Sequence, residues 1–310
     1  MSNRLINATM HTDVGQIRDH NEDYVICKEP ADENEFARNG WLYIVADGVG
    51  GADAGEVASK FASEKTVFHY LRNYAQENWG QRLVDSMQAA NTDLRRMVAE
   101  RNDDSRMATT MVAVVIDSYK AYIANVGDSR GYLWRDGSLE QVTKDQSLVA
   151  KLVEEGAITA AEAENHPRRN VILYSLGSER SPKIDLFERF LEPDDKLLLC
   201  SDGLTRHVSD TELAQYLAVD DIEEAATTLI TLANNRGGQD NITASILHFQ
   251  GDGSPPGRMQ NNTLVADKTV GGKTAVPAAA STAKSLWRLT LLLTVVQTFL
   301  IVFLWAVLFA

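Results

Sequence analysis

The sequence predicts an α+β fold, and two observations carry that prediction. Short apolar runs, rich in β-branched and aromatic residues and bounded by Gly, Asp or Asn, recur as strands through the first 250 or so residues. The two longest helical patterns follow one another directly. That pairing argues against a sheet in which strands and helices strictly alternate.

In chain order the strand-like runs are "YVIC" from Tyr24, "WLYIVA" from Trp41, "MVAVVI" from Met111, "AYIANV" from Ala121, "GYLW" from Gly131, "KLLLC" from Lys196 and "ITASILHF" from Ile242. The first helix is predicted by Val57, Phe61, Val67, Tyr70, Leu71 and Tyr74, which recur at helical spacing. The second is predicted by Leu83, Met87, Ala90, Leu94, Met97 and Val98. A third begins at "SDTE", where Ser209 and Glu212 have capping-box spacing, and a fourth runs from Ile222 toward Leu232. No internal repeat is present.

Residues 251–285 change character. They are rich in Gly, Pro, Ala, Ser and Thr, with few large apolar side chains, and read as a flexible linker that as a coil spans about 30 Å. Beyond them, Leu289 to Ala310 form a run of 22 residues without a charge, long enough to cross a hydrocarbon core as a helix. Lys284 and Arg288 flank it upstream, which by the positive-inside tendency leaves the preceding chain in the cytoplasm. The expected organisation is therefore one domain over 1–250, a linker over 251–285 and a single-pass membrane anchor at the C-terminal end, over 286–310. The expected location is a membrane, with the preceding chain on its cytoplasmic side.

The net charge of −13, with 30 basic residues scattered among 43 acidic ones, argues against nucleic acid as a partner. Two distant cysteines, Cys27 and Cys200, suggest no disulfide framework. The acidic residues are informative by position. Asp47, Asp128 and Asp202 fall where strands end, whereas Glu22, Asp23 and Asp240 fall where strands begin. In antiparallel sheets those ends share a rim, and carboxylates gathered there need cations to neutralise them. Oxygen donors of this kind select Mg²⁺ or Mn²⁺, and a pair of such ions about 4 Å apart lowers the pKa of a shared water and aims it at a phosphorus centre. Arg18 supplies a planar two-pronged donor for a phosphoryl group. Glycines beside Asp47 permit a tight turn and bring the Gly48 carbonyl within reach of a metal.

Taken in order, "RDHNED", "VADGVGGADAGE", "ANVGDSR", "SDGL" and "QDNIT" resemble the successive motifs of the metal-dependent Ser/Thr protein phosphatases, the PPM or type 2C family, in its compact bacterial branch. The segment from Val142 to Ser178 looks like that branch's flap, and the resemblance covers about residues 8–250. It implies a four-layer αββα sandwich of two antiparallel sheets between paired helices, with a dinuclear metal centre at one rim. It further implies that Asp47 bridges two Mn²⁺ or Mg²⁺ ions and Gly48 ligates through its carbonyl. Asp202 and Asp240 would complete the first metal site, while Glu22 and Asp23 would act directly or through water. Asp128 would help bind a third, weaker metal, and Arg18 would hold the phosphate. The implied substrates are proteins phosphorylated on Ser or Thr, with a eukaryotic-like Ser/Thr kinase as the counterpart.

The chain departs from the pattern in places. Val49 stands where many eukaryotic relatives have a His, Gln146 where the bacterial flap often has His, and Tyr174 where it often has Arg. His166 matches the flap and reads as a surface residue beside Pro167. Cys200 to Arg206 also has the spacing of a thiolate phosphatase loop, but Leu199 and His207 replace that loop's usual helper residues. Two alternatives thus stand beside the phosphatase reading: an inactive phosphoprotein-binding module of the same fold and, less favoured, a Cys200 thiolate phosphatase.

Overall fold

The computed structural model describes residues 5–50, 54–101 and 107–251. The elements are β1 (Ile6–Asp13), β2 (Asp23–Lys28), α1 (Glu33–Asn39), β3 (Trp41–Val49), α2 (Ala54–Arg72), α3 (Trp79–Arg101), β4 (Ala108–Thr109), β5 (Met111–Asp117), β6 (Lys120–Val126), β7 (Arg130–Arg135), β8 (Ser138–Gln141), α4 (Leu148–Glu154), α5 (Ala160–Glu164), β9 (Asp185–Phe190), β10 (Lys196–Cys200), α6 (Asp202–Thr205), α7 (Asp210–Leu217), α8 (Ile222–Asn235) and β11 (Ile242–Phe249). One sheet has the order β1-β11-β10-β7-β8 and the other β2-β3-β5-β6-β9, with β4 on β3. Every ladder between named strands is antiparallel.

Period-2 alternation sorts the central strands' side chains into separate cores. Trp41, Tyr43 and Val45 of β3 and Val112, Val114 and Ile116 of β5 face the other sheet, where they meet Leu197, Leu199, Leu247 and Phe249. The residues between them, Leu42, Ile44, Ala46, Met111, Ala113 and Val115, pack on the helix side with Ala58, Ala62, Leu83, Met87 and Leu94. On the opposite flank Leu198, Cys200, Ala244 and Ile246 pack with Leu213, Ala226 and Leu229. Helices, sheet, sheet and helices thus form the four layers of an αββα sandwich.

The predicted helices are present, except that α2 ends at Arg72 and leaves Tyr74, expected on its apolar face, exposed in the turn that follows. Ala54, Ala58 and Ala62 present a small-residue face that lets α2 lie close to the sheet, and Leu83, Met87, Ala90 and Leu94 form the buried stripe of α3. The Ser209–Glu212 pair starts α7, with Glu212 Oε2 accepting from Ser209 N at 3.1 Å and from Ser209 Oγ at 2.7 Å. Asp221 caps α8 by accepting from the N–H groups of Glu223 and Glu224. Among the described residues no helix is long and apolar enough to cross a membrane. The expected anchor at 286–310, and all of the linker after Gly251, lie outside the described residues.

Candidate metal centre

The strand ladders carry the acidic residues to one rim. Asp23, the first residue of β2, is directly opposite Asp47 in the β2–β3 register. The end of β10 lies beside β11, with Cys200 opposite Ala244, so Asp202 just after β10 comes near Asp240 and Asn241 just before β11. Asp128 follows the end of β6, whose Val126 pairs with Met111 at the start of β5. Asp47 differs from its expected place in one respect. It lies inside β3, which runs on through Gly48 to Val49 because β4 pairs with those two residues.

All eight predicted site residues gather there. Arg18 sits in the loop before β2 and bonds Asp240 through Nη2, 2.9 Å from Oδ1 and 3.0 Å from Oδ2, with Nη1 3.9 Å from Glu22 Oε2. Arg206 pairs with Asp202 and lies 3.2 Å from Asp240 Oδ2. Asp23 is buried; its Oδ2 accepts from Ser201 Oγ and Thr243 Oγ1, each at 2.7 Å. The Asp47 carbonyl accepts from Thr110 N at 2.9 Å and Thr109 Oγ1 at 2.8 Å, which fixes the backbone while leaving the carboxylate to the rim. Gly48 N–H donates to the Glu22 carbonyl at 3.0 Å. A Cβ on Gly48 would lie 2.2 Å from the Gly55 carbonyl oxygen, so that position requires glycine for the approach itself, and one on Gly55 would lie 2.5 Å from Glu22 Oε1 and displace that carboxylate.

Burial of so many carboxylates shapes their protonation. Asp23 is pushed up to about 7, chiefly by desolvation, with Asp202 and Asp240 adding to the rise against the two hydroxyl hydrogen bonds. Asp128 rises to about 7 through desolvation and then the charge of Asp202. Asp47 is held well above the usual carboxylate range by desolvation and by the surrounding Asp23, Asp202, Asp128 and Asp240. Asp202 and Glu22 are raised as well, again mainly by burial, with Arg206 and Arg18 respectively opposing the rise. The Oδ1 atoms of Asp23, Asp128 and Asp202 are buried without a hydrogen-bond partner. Orphaned anionic oxygens of this kind, all hard donors, fit Mg²⁺ or Mn²⁺. As they stand, no three acidic, His or Cys side chains among the described residues are grouped tightly enough to enclose an ion, and Arg18 and Arg206 both lie against Asp240.

The sequence model of the protein phosphatase 2C family matches residues 28–244. The chain belongs to that family. The phosphatase 2C domain is 39% identical over 249 residues to the serine/threonine phosphatase stp of Listeria monocytogenes, covering 78% of this chain and 95% of that protein. It is 37% identical over 247 residues to the serine/threonine protein phosphatase PstP of Mycobacterium tuberculosis, of which it covers 45%. Among solved structures, the PstP catalytic domain in complex with two manganese ions superposes with a TM-score of 0.67 at 34% identity, over 79% of this chain and 99% of that one. Stp1 of Staphylococcus aureus superposes with a TM-score of 0.70 at 34% identity, over 79% and 96%.

Several residues that shape the phosphatase centre went unassigned in the sequence. Asn241 stitches the site loop: its Nδ2 donates to the Val14 and His20 carbonyls, each at 2.9 Å, and its Oδ1 accepts from Glu22 N at 2.8 Å. It stands in the "QDNIT" motif, the available signal. Gln146, noted only as a departure, proves to be a clamp. Its Oε1 accepts from Gly127 N at 3.0 Å, beside Asp128, and its Nε2 donates to Asp185 Oδ2 at 2.8 Å. Its carbonyl accepts from Leu173 N in the flap. Tyr174 packs against the core on the α2–α3 side, and His166 Nδ1 accepts from Arg168 N at 3.1 Å, closing a local turn.

Cys200 is elsewhere. Its side chain points into the core under α7 and α8, fully buried, and burial pushes its thiol up to about 12. Arg206, the partner a thiolate loop would require, faces the aspartates.

Proposed function

We propose that this rim is the catalytic centre of a protein serine/threonine phosphatase that hydrolyses phosphoserine and phosphothreonine in one step, held at a membrane with its catalytic domain in the cytoplasm. The observation that carries the catalytic reading is the set of buried, partnerless carboxylate oxygens on Asp23, Asp128 and Asp202, gathered beside Asp47 and next to Arg18. Phosphatases of this family use Mn²⁺ or Mg²⁺, and the PstP structure with two manganese ions supports the same choice here. Asp47, Asp202, Asp240 and the Gly48 carbonyl would hold the two ions, with Glu22 and Asp23 acting directly or through water and Asp128 serving a third. When bound, the metal supplies Lewis acidity that lowers the pKa of the attacking water and offsets charge on the phosphoryl oxygens.

The remaining work falls to the chain's own residues. Arg18, with its side chain about half exposed, presents a guanidinium at the mouth of the cluster where a phosphate dianion can take both prongs. The hydroxyls of Ser201 and Thr243 orient the Asp23 carboxylate through Oδ2 and leave Oδ1 directed at the site. Asn241 fixes the loop that carries Arg18 and Glu22. Val49, exposed at the end of β3, offers no proton to a leaving alkoxide, so that proton comes from water.

The test is hydrolysis of a phosphothreonine peptide by the full chain in detergent, in EDTA and after adding Mn²⁺. Activity that is lost and restored, abolished by Asp202→Asn and kept by Cys200→Ser, is expected. Activity that survives the chelator and disappears on thiol alkylation would overturn the metal reading. No turnover under either condition would favour the binding module.

The membrane tether rests on the uncharged run Leu289–Ala310 and its basic flank. A substrate phosphorylated by a eukaryotic-like Ser/Thr kinase near that membrane fits a linker of this length. Fractionation decides it: the full chain should pellet with membranes and a chain ending at residue 250 should not.

A further inference from the structure

The phosphatase reading leaves one guanidinium at the rim without a task. Arg206 lies one helical turn after Asp202, at the C-terminal cap of α6, so the turn itself sets the two side chains on one face. Its two terminal nitrogens divide between Asp202 Oδ2 and Asp240 Oδ2, the latter at 3.2 Å. Arg18 already holds Asp240 from the other side, with Nη2 2.9 Å from Oδ1. Both oxygens of Asp240 and one of Asp202 are therefore held by arginine, with Asp202 Oδ1 left without a partner, and the Arg206 side chain is only 28% exposed.

A divalent ion bound through Asp202 Oδ1 and Asp240 would stand close to the Arg206 guanidinium, which uses the other oxygen of Asp202, and the two cations would repel each other at close range in a partly buried site. We propose that Arg206 is an internal competitor of the metal. It pairs with Asp202 and Asp240, and binding of the ion displaces it toward solvent. The metal-free domain thereby gains stability and the centre loses metal affinity, so occupancy becomes sensitive to the free metal concentration. This proposal rests on the assignment of Asp202 and Asp240 as metal ligands.

The experiment is calorimetric titration of Mn²⁺ into the EDTA-stripped full chain in detergent, for wild type, Arg206→Gln and Arg206→Lys, with thermal melting of each metal-free protein. Arg206→Gln should bind Mn²⁺ at least about tenfold more tightly, which is ~1.4 kcal/mol. Its metal-free form should melt lower and gain more on adding Mn²⁺ than wild type does. Arg206→Lys should bind with an affinity between the two, because an ammonium group cannot fork across both carboxylates. If the Gln variant fails to fold without metal, the Lys variant alone decides by the same criterion. Equal or weaker Mn²⁺ binding by the variants would overturn the proposal and make Arg206 a support for the ligands. Failure of wild type to bind Mn²⁺ at all is a different result and would overturn the ligand assignment beneath it.

Discussion

Replacing Asn241 with alanine is the most informative single perturbation of the loop that carries Arg18 and Glu22. The side chain is 4% exposed and satisfies three main-chain groups: the Val14 and His20 carbonyls and the Glu22 N–H. Alanine leaves all three without that partner. At roughly 1 kcal/mol each, the expected loss is about 3 kcal/mol. For a domain of this size that corresponds to a melting temperature lower by about 6–12 °C. Thermal unfolding followed by circular dichroism in EDTA reads the loss without the metal's contribution. Amide hydrogen exchange then shows where it falls: exchange at Glu22 should rise well beyond the change at Val114, in the centre of the sheet that Glu22 leads into. A drop within about 2 °C, too small for even one lost bond, with Glu22 exchange unchanged, would show that water replaces the amide and that the stitch carries no weight.

Three further outcomes follow from the same geometry. Gly55→Ala places a methyl 2.5 Å from Glu22 Oε1 and 3.0 Å from the Gly48 carbonyl carbon, so kcat/KM on a phosphopeptide should fall at least about tenfold; wild-type kinetics would refute the tight approach. With its thiol near 12, Cys200 is about one part in ten thousand thiolate at pH 8, so iodoacetamide should leave it unmodified in the folded protein and label it in urea, read by peptide mass. Asp23 and Asp128 titrate near 7 when folded, against about 4 unfolded, so between those values the folded protein binds more protons than the unfolded one. Metal-free stability should therefore fall as pH rises from about 4 to 7 and then level off; a higher urea midpoint at pH 8 than at pH 5.5 would contradict the assignment.

Where a signal was local, the sequence disclosed it. The unbroken run of branched and aromatic residues in "WLYIVA" made β3 evident, and the Ser209–Glu212 spacing marked the start of α7. The strands that escaped notice are β1, β8 and β9 at sheet edges and the two-residue β4. An edge strand such as "DLFERF" carries charges that keep it from pairing with other chains, and those same charges hide its period. The acidic site residues were legible because they fall at strand ends, where chain order alone announces a rim. Asn241 and Gln146 were not, since an amide's value lies in the distant backbone groups it reaches. Arg206 was misleading: its spacing from Cys200 suggested one chemistry, while the helical turn from Asp202 placed it in another.

The pairing of Asp23 with Asp47 also bears on how this domain can change in length. Both carboxylates are positioned by strands whose alternate residues are committed to different cores, so removing one residue between Trp41 and Ala46 would exchange those commitments and carry Asp47 off its partner. At the far rim the hairpin turns lie at Ser118–Tyr119 and Asp136–Gly137, between the paired ends Asp117–Lys120 and Arg135–Ser138. Residues added there shift no strand against its neighbour. Insertions and deletions can thus accumulate at one end of the sandwich while the other keeps a fixed residue count, and grafted segments or labels belong at the exposed Asp136–Gly137 turn, since Tyr119 packs edge-on against Phe249 and its carbonyl accepts from Leu191 N.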